Sequence, residues 1–399
     1  MAWQVGALHD RPHATPHRMK IAQVCPYDID RPGGVQHHIR DTAEALAERG
    51  HQVTIIAPAT DSPPLPSPPG VVIRRLGRSF RVGIFGTTFE IALALGRQRA
   101  QLRELMRAFD VAHFHTVWSP FLALQALSFF DGPAVVTFHD TPPQTLSGRI
   151  LRVLFPVLSR LLLPRFDAIL TPSIAPQRHL VPGPGQTLAI FPPCTNLRPF
   201  MDASPQPEFR DGHINILFLG RLEPRKGAML LLKAFETLRR NNPSLRLLIA
   251  GAGAQEKALR HHVKKNQISS VIFVGQPTDT ASWFATADIF CAPSPYGESF
   301  GIVIVEAMAS GKPVVAAANA GYRTLLTGKA ARFLVAPGDT QALGKALAVL
   351  AADQGLRHRL GEWGRATAPR YDCRTLAPQL ETIFRDAVLA HRLKVQNAI

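Results

Sequence analysis

Two glutamates, Glu298 and Glu306, stand eight positions apart in the stretch YGESFGIVIVEAMASGKPVV (296–315). A helix that starts near Gly301 would present backbone N–H groups and the positive end of its dipole to a phosphate. At 1.5 Å per helical residue the two carboxylates lie roughly 12 Å apart or somewhat more, which suits hydroxyl recognition at both ends of one extended ligand. The alternative is two unrelated acids near the ends of a helix.

A basic loop, FLGRLEPRKG (218–227), carries Arg221, Arg225 and Lys226 directly after a predicted strand. Arginine offers a planar fork for phosphate oxygens and lysine a compact charge, so a diphosphate is the natural ligand. The alternative is a solvated basic loop. The position after a strand, together with the other motifs, favours the anion site.

A glycine pair, Gly33 and Gly34, lies in VCPYDIDRPGGVQHHI (24–39), after the first predicted strand and before the first predicted helix. Such a pair lets the backbone approach a phosphate closely at a helix N-terminus. GAGA (251–254) lacks the third glycine of a dinucleotide fingerprint, and a tight turn explains it about as well. Asp28 and Asp30 in the first stretch are interpreted as polar loop residues.

His139 and Asp140 end a predicted strand, VVTFHD (135–140). A histidine there could position a sugar hydroxyl or a leaving phosphate oxygen. A structural role is the open alternative, and it applies more strongly to His113 and His115. The sequence contains no GxSxG, HExxH or GxxxxGK[ST] motif, which excludes the serine hydrolase, zincin and P-loop interpretations.

Short apolar runs that alternate with helical patterns must position these residues. KIAQVC (20–25), HHIRDTAEALAERG (37–50) and QVTIIAP (52–58) predict a β-α-β unit with a glycine at the helix end. Three further buried strands are predicted at VVIRRL (71–76), VAHFH (111–115) and AVVTFH (134–139). The pattern indicates one doubly wound α/β domain with a parallel sheet.

The alternation starts again after the polar, proline-containing stretch 197–213, and a second α/β domain is predicted from Ile214. It contains a helix over 227–240 and the predicted strands INILFLG (214–220), LRLLIAG (245–251), SVIFVG (270–275), ADIFCAP (287–293) and PVVAA (313–317). Ligands of open α/β sheets bind outside the carboxyl ends of the strands. Two such domains facing each other would form a cleft, and the motifs all follow strands.

Composition and charge restrict the class of protein. The chain has 399 residues, enough for two large domains or three small ones, and its 46% hydrophobic and 19% charged residues are typical of a globular protein. Disordered, collagen-like and coiled-coil chains are excluded. The formal net charge of +16 indicates an anionic partner, whether nucleotide, nucleic acid or membrane, and does not choose among them.

The four cysteines, Cys25, Cys194, Cys291 and Cys373, form no CxxC pair, and no histidine cluster has ligand spacing. This pattern argues against a zinc site or a disulfide framework and fits a reducing cytoplasm. Residues 1–18 lack the apolar stretch of a signal peptide and are predicted to be a disordered extension. No apolar run reaches the ~18 residues of a transmembrane helix, so the protein is expected to touch a membrane without spanning it.

PGGVQHH, GRLEPRKG and ESFGIVIVEAMASG, in this order, resemble the retaining family 4 glycosyltransferases of the GT-B fold, above all their phosphatidylinositol mannosyltransferase type. The resemblance covers nearly all of residues 20–390, and its specific part is the E-x7-E motif with the preceding basic loop. It implies two Rossmann-like doubly wound domains facing a central cleft, with a C-terminal helix that crosses back to the first domain. The expected boundaries are 19–205 for an N-terminal acceptor domain, 206–372 for a donor-nucleotide domain and 373–399 for the crossover helix.

The resemblance also implies roles for single residues. Donor-binding positions are expected at Gly33, Gly34, Arg221, Lys226, Glu298, Ser299, Phe300, Gly301, Ile302 and Glu306. Within this set, Arg221 and Lys226 would bind the diphosphate and Glu306 the ribose. His139 and Glu298 are the expected catalytic residues beside the donor sugar. Tyr27 and Gln36 match positions that face the acceptor.

Enzymes of this type retain the anomeric configuration by front-face attack, in which the leaving diphosphate takes the acceptor proton, and they need no metal. No cofactor is therefore expected besides a nucleotide-sugar co-substrate, GDP-mannose. Two departures leave the acceptor open. FPPCTNLRPF (191–200) stands where the family has a proline-asparagine-glycine turn, and Thr116 stands where it has an acidic residue.

The basic surface is consistent with a lipid-linked acceptor. Residues 74–107 hold eight arginines against two glutamates, and SGRILRVLFPVLSRLLLPRF (147–166) has the composition of an interfacial helix. A core helix with a solvated basic edge is the alternative for the second stretch. The expected location is the cytoplasm, peripheral to the inner face of the plasma membrane.

The sequence thus predicts a retaining glycosyltransferase that transfers mannose from GDP-mannose to a hydroxyl of a membrane glycolipid or lipid-linked oligosaccharide. One alternative is a UDP-sugar-dependent enzyme of exopolysaccharide or soluble-glycoside synthesis. A basic non-catalytic binding protein is the alternative from another class. Nucleic acid is not an expected partner, because no RNA- or DNA-binding motif is visible.

Overall fold

A computed structural model describes residues 18–31, 33–60, 63–84, 87–117, 121–139, 155–183 and 186–397. The extension predicted over residues 1–18 lies outside this part of the chain, apart from Arg18. The chain forms two compact units. Unit 1 contains the described residues up to Thr195 and again from Tyr371 onwards, and unit 2 is Asn196–Arg370.

Unit 1 is built on an eight-stranded sheet with the order β4-β3-β2-β1-β5-β6-β7-β8. Its strands are β1 (Lys20–Val24), β2 (Gln52–Ala59), β3 (Val71–Ile84), β4 (Thr87–Leu93), β5 (Val111–His115), β6 (Ala134–Thr137), β7 (Ala168–Thr171) and β8 (Leu188–Ile190). Neighbouring strands are parallel except for the antiparallel pair of β3 and β4. The sheet is therefore a parallel one with an antiparallel edge strand, a common form of the doubly wound fold.

Helices cover both faces of this sheet. They are α1 (Gly34–Glu48), α2 (Gly96–Met106), α3 (Leu122–Ser128), α4 (155–162) and α5 (Ile174–Gln177). Successive side chains of a strand point to opposite faces. In β1, Ile21 packs in a core cluster with α1, whereas Ala22 and Val24 pack in a second cluster with α2 and α3.

Unit 2 has a fully parallel six-stranded sheet with the order β11-β10-β9-β12-β13-β14. Its strands are β9 (Ile214–Leu219), β10 (Leu245–Ala250), β11 (Val271–Gly275), β12 (Ile289–Ala292), β13 (Val314–Ala317) and β14 (Leu334–Val335). Its helices are α6 (Arg198–Asp202), α7 (Ala228–Asn241), α8 (Glu256–Lys265), α9 (Thr280–Thr286), α10 (Ile302–Ala309), α11 (Thr340–Ala352) and α12 (Gln354–Thr367).

The last helix, α13 (Cys373–Asn397), belongs to unit 1 although unit 2 precedes it in the chain. Phe384 of α13 is fully buried in the core cluster that contains α1. Glu381 of α13 accepts hydrogen bonds from Arg49 and His51, which follow α1. The chain therefore returns to unit 1 and completes its core, as the crossover prediction requires.

The predicted fold class is confirmed, since both units are doubly wound α/β structures. The apolar runs 20–25, 52–58 and 111–115 correspond to β1, β2 and β5. The structure differs at 71–76, because β3 continues to Ile84 and forms a hairpin with β4 that the sequence analysis did not include.

Candidate functional site

The basic loop of unit 2 follows β9 at the carboxyl edge of its sheet. Pro224–Lys226 form a single 3-10 turn, and Gly227, at a φ of 76°, leads the chain into α7. A Cβ at Gly227 would lie 2.4 Å from the carbonyl oxygen of Pro293. Only glycine therefore lets this loop pack against the segment that follows β12.

The GAGA stretch follows β10 and packs against the same loop. A Cβ at Gly251 would lie 2.0 Å from the carbonyl oxygen of Gly220, and one at Gly253 would lie 2.6 Å from that of Leu222. Both glycines also have positive φ angles, 134° and 158°. Close backbone packing therefore accounts for glycine at both positions, and a role in phosphate binding is not needed to explain them.

Glu298 is the centre of an ion-pair network at this edge. Its Oε1 lies 2.7 Å from Lys226 Nζ and 3.5 Å from Arg225 Nη1. Glu223 binds Arg225 Nε and Arg221 Nη1, each at 3.0 Å. The three cations and two carboxylates leave an excess of one positive charge. This excess would attract an anion. The ion pairs also hold the Glu298 side chain in place, with Oε1 directed at Lys226.

The segment between Glu298 and α10 lies against a turn that follows β13. A Cβ at Gly321 would lie 2.7 Å from the carbonyl oxygen of Glu298 and 2.8 Å from the nitrogen of Phe300. A Cβ at Gly301, where φ is 113°, would lie 2.7 Å from the ring of Tyr322. Tyr322 is 1% exposed, and burial raises the pKa of its phenol well above the usual range. Two glycines and a buried neutral tyrosine thus shape the backbone before α10.

Hydrogen bonds fix this supporting turn. Asn319 accepts from the backbone nitrogens of Gly321 (3.1 Å) and Tyr322 (3.0 Å) and donates to the carbonyl of Ser294 at 2.9 Å. The Tyr322 hydroxyl donates to Ser294 Oγ at 3.0 Å. The sequence analysis did not identify Asn319 or Tyr322, and the only local signal was the glycine between them.

The helix α10 begins at Ile302, directly after Ser299, Phe300 and Gly301. Its N-terminal N–H groups make this a site that favours an anion. Glu306 lies on the second turn of α10 and is 8% exposed, and Glu298 before the helix is 9% exposed. Unit 2 therefore combines two nearly buried carboxylates, a group of cations and a helix N-terminus in one region of its fold.

In unit 1, the predicted residues Tyr27 and Gly33 lie in the loop after β1, and Gly34 and Gln36 lie in the first turn of α1. Gly34 is the first residue of α1, and Gly33 precedes it in an extended conformation. The amide of Gln36 donates to the carbonyl of Asp28 at 3.2 Å, and Gln36 is 7% exposed. Tyr27 packs against the core cluster of this unit. The structure therefore places these four residues in the loop after β1 and in the first turn of the helix that follows it.

Asp30, in the same loop, binds an arginine and a backbone amide. Its carboxylate accepts from Arg75 Nε (2.8 Å) and Nη2 (2.7 Å) and from the nitrogen of Leu65 (2.9 Å). Burial would raise the pKa of Asp30, but the bonds from Arg75 and Leu65 outweigh burial and lower it. These contacts agree with the interpretation of Asp30 as a polar loop residue.

Four buried histidines meet in the interior of unit 1. His115 Nδ1 lies 3.0 Å from His139 Nε2, and these two rings are stacked with their centroids 5.3 Å apart. His38 contacts both rings edge-on, at centroid distances of 5.5 Å and 5.3 Å. His113 lies 4.2 Å from His115, centroid to centroid. The sequence analysis saw no histidine cluster at ligand spacing, and the fold corrects that statement by assembling one from α1, β5 and the residues after β6.

Burial keeps these rings neutral at pH 7. It lowers the pKa of His38 to about 4 and that of His113 to about 3. The pKa values of His115 and His139 are lowered well below the usual range, first by burial and then by the neighbouring rings. His139 can therefore act as a neutral hydrogen-bonding group and not as a resident cation.

Thr116 holds the backbone next to His139. Its Oγ1 accepts from the His139 nitrogen at 3.3 Å, and its own nitrogen donates to the carbonyl of Thr137 at 2.9 Å. Thr116 has a φ of 59°, which is unfavourable for a β-branched residue. Thr116, one of the two departures named in the sequence analysis, is thus a strained residue whose hydroxyl binds the backbone of the predicted catalytic histidine.

An apolar surface lies on α4, within the stretch predicted to be interfacial. Val157, Leu158 and Leu161 are 52%, 38% and 69% exposed, and Arg160 beside them is exposed. Residues 147–154 of the predicted stretch lie outside the described part of the chain. No helix among the described residues combines the length and the apolar character needed to cross a bilayer.

Comparison with known families gives two matches, one in each half of the chain. The profile described as Glycosyltransferase Family 4 matches residues 32–197, and the profile described as Glycosyl transferases group 1 matches residues 201–367. Gly33, Gly34 and the rest of α1 fall in the first match, and the ion-pair network with α10 falls in the second.

Curated relatives match along almost the whole chain. The phosphatidyl-myo-inositol mannosyltransferase of Mycobacterium leprae is 34% identical, with 95% of this chain and 100% of the relative covered. The protein of the same name from Propionibacterium freudenreichii is 32% identical, covering 92% of this chain and 94% of the relative. Among solved structures, Anabaena HepE in complex with UDP and glucose is similar, with a TM-score of 0.74 at 20% identity, covering 92% of this chain and 99% of HepE.

Proposed function

Because the chain belongs to the family 4 glycosyltransferases, which have the GT-B fold, we propose that it transfers mannose from GDP-mannose to phosphatidyl-myo-inositol with retention of configuration. The glycosyltransferase activity follows from the family. The sugar and the acceptor are proposed from the names of relatives that match almost the full length of the chain. The donor base and the stereochemistry rest on the motif resemblance.

One observation carries the proposal: the contact between Lys226 Nζ and Glu298 Oε1 at 2.7 Å, next to the segment that leads into α10. It joins a group that can bind a diphosphate to a group that can accept hydrogen bonds from sugar hydroxyls. Lys226 is 19% exposed and Arg221 is 61% exposed, so both can reach a ligand. Glu306, farther along α10, would accept from the ribose hydroxyls.

In the proposed reaction the acceptor hydroxyl oxygen forms a bond to the anomeric carbon on the face from which the diphosphate leaves. The bond between that carbon and the β-phosphate oxygen breaks, and the released oxygen takes the proton of the acceptor hydroxyl. The products are GDP and the mannoside. Arg221, Lys226 and the α10 N-terminus would stabilise the charge that develops on the diphosphate. The step therefore uses no metal ion and no further cofactor.

The motif resemblance also assigns roles in the reaction to residues of unit 1. Neutral His139, with its backbone bonded to Thr116, would donate to or accept from a hydroxyl of the donor sugar. Gly33 and Gly34 would let the N-terminus of α1 approach the diphosphate. Tyr27, in the loop after β1, and Gln36, in the first turn of α1, would contact the acceptor.

We further propose that the enzyme works at the cytoplasmic surface of an anionic membrane. The exposed apolar residues of α4, with Arg160 beside them, have the composition of a helix that lies in the interfacial plane. The arginines of residues 74–107 would add attraction to anionic lipids.

The test is a transfer assay with the full chain, GDP-mannose and vesicles that contain phosphatidylinositol. Formation of a mannosylated lipid whose anomeric configuration matches that of the donor, analysed by NMR, is the expected result. A thermal-shift panel with GDP, UDP and ADP should show selective stabilisation by GDP, because a ligand of the native state raises its stability. Transfer only from a UDP-sugar would replace the proposed donor, and no nucleotide binding would favour the non-catalytic alternative.

A further inference from the structure

A chain of hydrogen bonds reaches His139 through the interior of unit 1. Gln23 lies on β1, His115 is the last residue of β5, and His139 follows β6 by two residues. Gln23 Oε1 lies 2.6 Å from His115 Nε2, and His115 Nδ1 lies 3.0 Å from His139 Nε2. All three residues are buried. Each bond has a direction, because one partner must donate a hydrogen and the other must accept it.

We propose that Gln23 and His115 are positioning residues that fix the tautomer of His139, so that His139 presents Nδ1 to the donor sugar as a hydrogen-bond acceptor. The proposal rests on the proposed function, in which neutral His139 would bind a hydroxyl of that sugar in either direction. It decides between the two directions. The sugar hydroxyl would donate its hydrogen to the ring.

The direction of the chain of bonds is set at Gln23. The carbonyl oxygen of an amide can only accept, so the hydrogen of the first bond belongs to His115 Nε2. A neutral imidazole carries one N–H, which leaves a lone pair on His115 Nδ1. The second bond must therefore receive its hydrogen from His139 Nε2. By the same rule, His139 Nδ1 has a lone pair and cannot donate.

Both histidines have to be neutral for the tautomers to be fixed in this way, because a protonated ring has hydrogens on both nitrogens. Burial lowers the pKa values of His115 and His139 well below the usual range, and the neighbouring histidine rings lower them further. At pH 7 each ring therefore carries a single hydrogen. Its position is decided by the bonds that the ring makes.

Two contacts hold His139 in place. Its Nε2 is bound to His115, and its backbone nitrogen donates to Thr116 Oγ1 at 3.3 Å. His139 is 8% exposed, whereas His115 and Gln23 are fully buried. The chain of bonds therefore runs from the core to a ring that retains some exposure, as a link between the interior and a bound ligand requires.

The side-chain amide of Gln23 makes one hydrogen bond among the residues that the structure describes, the bond to His115. Its buried Nε2 has no partner there. Gln23→Met keeps the length of the side chain and removes the acceptor. A hydrogen on His115 Nε2 would then be buried without a partner, so the tautomer with the hydrogen on Nδ1 becomes the better one. His115 would donate to His139 Nε2, and His139 would carry its own hydrogen on Nδ1.

Two-bond ¹H–¹⁵N NMR of the full chain labelled with ¹⁵N-histidine tests the proposal, because it distinguishes the two tautomers of a neutral imidazole. We expect Nε2–H at both His115 and His139 in the wild type, with the signals assigned through His115→Asn and His139→Asn. In Gln23→Met both rings should change to Nδ1–H. Gln125→Met is the matched control, since the Gln125 amide bonds the backbone of Ala94 in the same unit, and it should leave both tautomers unchanged.

Kinetics with GDP-mannose and phosphatidylinositol vesicles separate positioning from a general structural effect. Once Nδ1 carries a hydrogen, His139 can no longer accept from the sugar hydroxyl. Gln23→Met should therefore lower kcat roughly 10-fold, as expected for the loss of one hydrogen bond in the transition state. GDP carries no mannose, so its affinity should stay unchanged. Gln125→Met should change neither quantity.

An Nδ1–H tautomer at His139 in the wild type would overturn the proposal, and Nε2–H at both rings would support it, even if Gln23→Met does not fold. In folded Gln23→Met protein, an unchanged His139 tautomer or an unchanged kcat would also overturn it. The NMR measurement involves neither nucleotide nor transfer. Absence of mannosyl transfer by the wild type would therefore refute the proposed function, while the tautomers would still show whether Gln23 and His115 set the direction of the bonds at His139.

Discussion

Glu381 on α13 should make the stability of unit 1 strongly dependent on pH in the acidic range. Its carboxylate accepts from His51 Nε2 at 2.9 Å and from Arg49, and its side chain is 3% exposed. His51 Nδ1 accepts from the Met19 nitrogen at 3.1 Å, so the neutral ring can donate through Nε2. Burial alone would raise the pKa of Glu381, but the hydrogen bonds of His51 and Arg49 outweigh it and lower the pKa to about 2.

The magnitude follows from the difference between folded and unfolded pKa values. An ordinary glutamate titrates at 4.5, so the difference corresponds to about 3 kcal/mol of stability that is fully present above pH 4.5. Because the folded pKa is the lower one, this contribution is lost as the pH falls from 4.5 towards 2. Linkage gives a loss of about 2 kcal/mol by pH 3.

Urea unfolding followed by circular dichroism, at pH 7 and pH 3, measures this effect in the wild type and in Glu381→Gln. The variant should be less stable by about 3 kcal/mol at pH 7, and this gap should shrink to about 1 kcal/mol at pH 3. Glu48→Gln, an exposed change on α1, should stay within about 0.5 kcal/mol of the wild type at both pH values. An equal gap for Glu381→Gln at the two pH values would refute the reasoning.

Three further variants test the donor site and the membrane contact. Lys226→Ala should weaken GDP binding, measured by isothermal titration, by about 1.5–3 kcal/mol, or roughly 10- to 100-fold. The control is Lys233→Ala on the exposed side of α7, which should leave GDP binding unchanged. Unchanged affinity of Lys226→Ala would exclude the diphosphate role of Lys226. Glu298→Gln should lower kcat for transfer more than it weakens GDP binding, and equal losses would contradict its assignment to the sugar. Leu161→Ser should weaken binding to anionic vesicles, measured by sedimentation, roughly 10-fold or more, because burial of one leucine contributes about 1.5–3 kcal/mol. The control is Leu389→Ser, which replaces a leucine on α13 that is 55% exposed.

The strands that sequence alone could predict are the buried parallel ones. Within the predicted runs 287–293 and 313–317, Ile289–Ala292 and Val314–Ala317 are wholly apolar, and they form β12 and β13 because a strand covered on both faces needs apolar side chains in both directions. The β3–β4 hairpin was missed for the opposite reason. The segment from Arg78 to Leu93 mixes apolar residues with arginine, glycine and threonine, so it lacks the continuous run by which the other strands were identified.

The site was predictable where its residues are neighbours in sequence. Arg221, Lys226 and Glu298 follow strands, and the topology brings β9 and β12 side by side, so their loops meet. Their mutual pairing was not predictable, because it depends on side-chain geometry at the sheet edge. The histidine cluster was missed since His38 and His115 are far apart in the chain, and only the adjacency of β1 and β5 explains their contact.

The position of α13 in the chain has a consequence for biosynthesis. Unit 2 is one continuous segment, whereas unit 1 needs α13, which the ribosome makes only after all of unit 2. At about 5–20 residues per second, the nascent first segment waits on the order of ten seconds for Phe384 and its neighbours to cover its sheet. During that interval Ile39 and Leu46, which share a core cluster with residues of α13, lack the packing that α13 adds to this cluster. The nascent chain is then a natural client for chaperones that bind exposed apolar surface, and unit 2 can fold before unit 1 is complete.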